Sequence, residues 1–187
     1  SDPRKKELCI YVDAGEYGQM NSCFIGRLAY ASTVTITDSY ATGTVEGSQN
    51  YFGGMIGCMS GTNNTTITNC HFSGKVKGAS GVGGLVGAVE NTAVLTVTES
   101  SATGTVTNTA NNCGGLVGLV SNSVEVTDCH FDGNIVVSGY AGGIVGYFKN
   151  DGVIYNCVNR GAVQASANAG GIAGRIDGAD SGNLFCI

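Results

Sequence analysis

A five-residue pattern of two glycines, two apolar residues and a third glycine recurs along this chain. It occurs as Gly53-Gly54-Met55-Ile56-Gly57, Gly83-Gly84-Leu85-Val86-Gly87, Gly114-Gly115-Leu116-Val117-Gly118, Gly142-Gly143-Ile144-Val145-Gly146 and Gly170-Gly171-Ile172-Ala173-Gly174, in steps of 30, 31, 28 and 28 residues. A fixed period of this length makes each copy one supersecondary unit that buries its apolar face only by stacking on its neighbours. A degenerate copy, Ser22-Cys23-Phe24-Ile25-Gly26, stands 31 residues before Gly53.

A second column keeps the same period. Gly43, Gly74, Gly104, Gly133 and Gly161 are each followed two residues later by Val45, Val76, Val106, Ile135 or Val163, and preceded by four residues by Ser39, Cys70, Ser100, Cys129 or Cys157. Cys9 and Cys186 extend that last column at either end. Upstream, Val34/Ile36, Thr65/Ile67, Leu95/Val97, Val124/Val126 and Ile154 alternate as one inward face of a strand does. The Ser/Cys column lies an odd number of positions beyond these residues, so a corner must intervene. Asp38, Asn69, Glu99, Asp128 and Asn156 sit there, mostly residue types that tolerate a tight or left-handed turn.

Three short strands and three corners fit one period. Helices do not, because glycine costs about 1 kcal/mol relative to alanine at each interior helical position. With 31 glycines in 187 residues, the expected fold is all-β: a parallel β-solenoid (β-helix) of about six turns, stacked at about 4.8 Å per turn. It forms a single domain over 1–187, with repeat copies over roughly 22–176 and partial or capping turns at 1–21 and 177–187. The glycine doublets Gly53/Gly54, Gly83/Gly84, Gly114/Gly115, Gly142/Gly143 and Gly170/Gly171 are its structural signature, permitting a tight corner and close backbone approach.

Composition narrows function by exclusion. Nine Lys+Arg against fourteen Asp+Glu give no basic footprint for nucleic acid. No apolar stretch is long enough for a transmembrane helix. The polar start Ser1–Glu7 has no apolar segment behind it, so an export signal is expected to have been removed or to lie further upstream.

The Gly-Gly-Leu-Val-Gly cores at 83–87 and 114–118, spaced this way after a Ser/Cys-x-x-x-Gly-x-Val segment, resemble the GLUG-motif repeats of secreted bacterial surface proteins. Such repeats also occur outside the catalytic domain of immunoglobulin A peptidases. The resemblance implies an extracellular, bacterial, adhesin-like module, secreted or held at the cell surface, within a longer chain. It implies no catalytic residue and no cofactor. The expected function is therefore a noncatalytic adhesive or spacer segment, whose partners are a host glycan or protein and the neighbouring domains of its own chain.

His71 and His130 both occur as Cys-His-Phe, but alternation turns each histidine outward when its cysteine points in, and two turns separate them, so no metal site is expected. Cysteines alternating with serine in one column behave as small buried hydrophobes, and free thiols are expected. Glu99 and Asp128 share a column on adjacent turns, as the acids of a β-helical polysaccharide lyase or glycoside hydrolase do. That column continues as Asp38, Asn69 and Asn156, the pattern of a repeated turn. Tyr51 and Tyr140 align before the glycine doublet, and Tyr147 joins Leu119 and Ala88 in an outward column, a place for sugars to stack.

The last candidate is an interface. If Met55, Leu85, Leu116, Ile144 and Ile172 point inward, strand alternation places the neighbouring Ile56, Val86, Val117 and Val145 outward, continued by Ile25 and Ala173. That apolar column would have to be covered by a local loop such as 60–64 or 121–123, by another part of the chain or by a partner molecule.

Overall fold

The computed structural model describes residues 24–29, 32–177 and 184–186, and all of the regular structure among them is strand. The chain forms a parallel β-solenoid: five complete turns, with one strand of a further turn at each end, close to the six expected. Ser22, Cys23 and Cys9, and the side chain of Cys186, lie outside the described residues.

Each turn contributes to four parallel sheets. The first, here the threonine sheet, holds Ser32–Thr37, Asn63–Thr68, Val94–Thr98, Ser123–Thr127, Gly152–Tyr155 and Leu184–Cys186. The broad sheet holds Tyr40–Glu46, His71–Gly78, Ser101–Asn108 and His130–Val137, and its last turn is split into Val158–Asn159 and Ala162–Ala165. The corner sheet is built of two-residue strands, Phe52–Gly53, Val82–Gly83, Cys113–Gly114, Ala141–Gly142 and Ala169–Gly170. The aromatic sheet holds Ile25–Leu28, Ile56–Met59, Val86–Val89, Val117–Val120, Val145–Phe148 and Ala173–Ile176.

The corner between the threonine and broad sheets lies where the change of phase requires it. Asp38, Asn69, Glu99, Asp128 and Asn156 all have left-handed backbone, with φ between 47° and 53°. One residue off the strand pattern lets Ile67 and Cys70, three apart, both face the core at 0% exposure. The Ser/Cys column then closes the turn from within. Ser100 Oγ donates to the Thr98 carbonyl at 2.7 Å and Cys129 Sγ to the Thr127 carbonyl at 3.0 Å. The Ser100 hydroxyl also accepts from the Cys70 amide of the preceding turn at 3.0 Å.

The glycine-rich element is two strands, not one. The chain turns at Gly54-Met55, and the alternation restarts at Ile56. This corrects the expected interface: Ile56, Val86, Val117 and Val145 are 0% exposed and share the central core with Met55, Leu85, Leu116 and Ile144. A corner between adjacent apolar residues lets both point inward, which no continuous strand allows. The loops around 60–64 and 121–123 connect the aromatic sheet to the next threonine strand and do not cover that column.

Close approach explains the glycines of the motif. A Cβ on Gly114 would strike the Val117 carbonyl and the Gly146 amide of the next turn, one on Gly115 the Gly143 carbonyl and the Phe131 ring, and one on Gly118 the backbone at Gly81-Val82. Corner strands thus lie directly against aromatic-sheet strands one turn away. Gly171 differs, with no described atom near its Cβ position. In the broad sheet, Gly104 has φ 105° and the Gly74 carbonyl fills its Cβ position.

Candidate functional site

The side chains with most chemistry collect on the outside of the aromatic sheet. Register pairs Arg27 with Cys58, Cys58 with Ala88, Ala88 with Leu119, Leu119 with Tyr147 and Tyr147 with Arg175, one residue per turn in a single outward column. Cys58, Ala88 and Leu119 are nevertheless buried, in a small apolar cluster apart from the main core, with Tyr51 and Tyr147 packed against it. Part of the cover comes from Tyr51, just before the Gly53-Gly54 doublet. Tyr51, with φ 70°, lies against Gly81, and its hydroxyl donates to Glu90 Oε1 at 2.6 Å.

Two polar groupings bracket this cluster. At one end Arg27 donates through Nη2 to Ser60 Oγ at 3.1 Å, and Glu90 Oε2 stands 3.7 Å from the Cys58 thiol. Burial first, and the Glu90 carboxylate second, push the Cys58 thiol up to about 12. At the other end the Arg175 guanidinium lies 4.8 Å from the centre of the Tyr140 ring and 5.1 Å from that of Tyr147. Its Nη1 donates to the Tyr140 hydroxyl at 2.8 Å, and Nη2 pairs with Asp177 at 2.6 Å. The Tyr147 hydroxyl donates to the same carboxylate at 2.8 Å, and the hydrogen bonds from Arg175 and Tyr147 hold Asp177 below the usual carboxylate range. A cation over two rings with a paired carboxylate can offer edge hydroxyls and a guanidinium to a polar ligand.

The sequence picked out Tyr51, Tyr140 and Tyr147, and the structure brings the last two together with ring centres 6.4 Å apart. It missed Arg175, Asp177, Glu90 and Arg27. Arg175 was the most accessible of these to sequence reasoning, because it continues the column of Ala88, Leu119 and Tyr147 by one period.

Glu99 and Asp128 are exposed at the left-handed corner, and Asp128 accepts a hydrogen bond from the Asn156 amide of the next turn, as Asp38 does from Asn69. His71 and His130 are separated by Ser101 in the same column. His71 Nδ1 is 2.8 Å from Ser101 Oγ and its Nε2 is 3.2 Å from Asn69 Oδ1, while His130 Nε2 is 3.7 Å from Asp132. Cys58, Cys70, Cys113, Cys129 and Cys157 are free thiols. The Cys157 thiol beside it, together with burial, pushes Cys129 up, and burial does the same to Cys113.

Comparison with known proteins adds one similarity. Over 97 residues, 47% of this chain, the sequence is 36% identical to Halomucin of Haloquadratum walsbyi (strain DSM 16790 / HBSQ001). The match spans 1% of that protein's length. No protein-family model matches the chain, and no solved structure matches it.

Proposed function

We propose that this chain is a noncatalytic repeat module of a secreted or surface protein, serving as a spacer or adhesive segment. The observation that carries the reading is the stacking itself: five in-register turns locked by glycine contacts make a rod whose side chains are committed to holding one turn on the next. The corner carboxylates fit it, since Asp38 and Asp128 bond to the asparagine one turn away as members of a turn ladder. The similarity to a short stretch of Halomucin supports an extracellular setting. The GLUG-like motif supports a bacterial surface protein. The adhesive surface is the aromatic sheet around Tyr140, Tyr147 and Arg175, and its partner class is a host glycan or protein.

A polysaccharide panel and a glycan array test this together. The expected results are no bond cleavage on the panel, and array binding that is lost in Tyr140→Ala/Tyr147→Ala. Turnover abolished by Glu99→Gln or Asp128→Asn would replace the module with a β-helical polysaccharide lyase or glycoside hydrolase.

A further inference from the structure

The threonine sheet and the broad sheet are built alike, both parallel, in register and solvated on one side, yet their outer faces differ. The broad sheet carries Glu46, Lys75 and Lys77 at one end and Asp132 and Arg160 at the other. Across its first three turns the threonine sheet carries no charge. Register puts Thr35, Thr66 and Thr96 in one outward column and Thr37, Thr68 and Thr98 in the next. The second column continues to Thr127, while the first ends at Glu125. Strand propensity favours threonine in both sheets equally and so does not account for the difference.

The array has a lattice's regularity. Turns repeat at about 4.8 Å, and residues two apart along a strand are about 6.6 Å apart. Threonine is stiff at χ1, so each column can hold its hydroxyls and methyls in a common orientation. Among the described residues none is hydrogen-bonded to the hydroxyls of these six threonines, and each hydroxyl can both donate to and accept from water. The methyl groups between them restrict the water that the hydroxyls hold.

We propose that this face binds ice, its regularly spaced hydroxyl and methyl columns engaging a plane of ordered water oxygens. The inference is independent of the surface-module reading and stands or falls without it. A charged side chain within the array would hold its own hydration shell and interrupt that plane, which accounts for the absence of charge over these three turns.

The full 187-residue chain is tested for ice shaping and thermal hysteresis, and for partition into slowly growing ice. The unaltered chain should facet ice crystals, open a gap between melting and freezing, and become enriched in the ice. Thr66→Lys/Thr96→Lys should lose all three while keeping its circular dichroism spectrum and melting temperature. Thr103→Lys, on the outer face of the broad sheet, should keep all three. If the double variant fails to fold, Thr96→Lys alone carries the same expectation. Unshaped ice with the unaltered chain overturns the proposal, as does full activity in a folded lysine variant. Binding to crystalline cellulose or chitin without ice shaping also overturns it, assigning the face to an ordered polysaccharide.

Discussion

The Tyr51 hydroxyl donates to Glu90 at 2.6 Å across one full turn of the solenoid, and its ring closes over the apolar cluster that contains Cys58. Removing the hydroxyl alone, in Tyr51→Phe, should lower stability by about 1–2 kcal/mol, because a part-buried carboxylate loses a donor. Tyr51→Ala should also expose the thiol. Alkylation of the native protein followed by peptide mapping checks this, with modification of Cys58 expected to be much faster in Tyr51→Ala than in Tyr51→Phe.

Val117 lies in the central core at 0% exposure. Val117→Lys should cost about 3–5 kcal/mol, since an ammonium group there has no partner. Loss of the cooperative melting transition, or a large fall in its midpoint, is the expected result. An unchanged melting temperature would mean that the corner at Gly115-Leu116 does not turn both neighbours inward.

Thr65 occupies an inward column between Val34 and Leu95, 2% exposed, with no hydrogen-bond partner for its hydroxyl among the described residues. Thr65→Val keeps the shape and removes the unsatisfied group. It should raise stability by about 1 kcal/mol, read as a higher urea midpoint at unchanged slope.

Alkaline pH should weaken the fold. Cys58 is pushed up to about 12 in the folded chain, and burial also raises Cys113. Thiols of the unfolded chain ionise near about 8.5. Above that value the folded state holds more protons than the unfolded one, so stability falls as pH rises toward the folded values. Urea midpoints measured from neutral pH upward should decline, and Cys58→Ala should remove part of the slope.

The parallel solenoid, its period and the left-handed corner at Asp38, Asn69, Glu99, Asp128 and Asn156 could all be read from the sequence. Stacking in register repeats each position once per turn, so a column such as Ser39, Cys70, Ser100, Cys129 and Cys157 records a tertiary constraint along the chain. Phase arithmetic between Ile67 and Cys70 then located the corner. The same arithmetic failed at Gly54-Met55. Two adjacent apolar residues are equally compatible with a strand buried on both faces and with a corner that turns both inward, and only the three-dimensional path distinguishes them. The cluster of Arg175, Asp177, Tyr140 and Tyr147 was likewise settled by the fold, because its members come from different strands and turns and meet only when one turn settles on the next. Periodic features belong to the sequence because every turn repeats them. A contact made once, between side chains that do not recur, depends on how the turns pack.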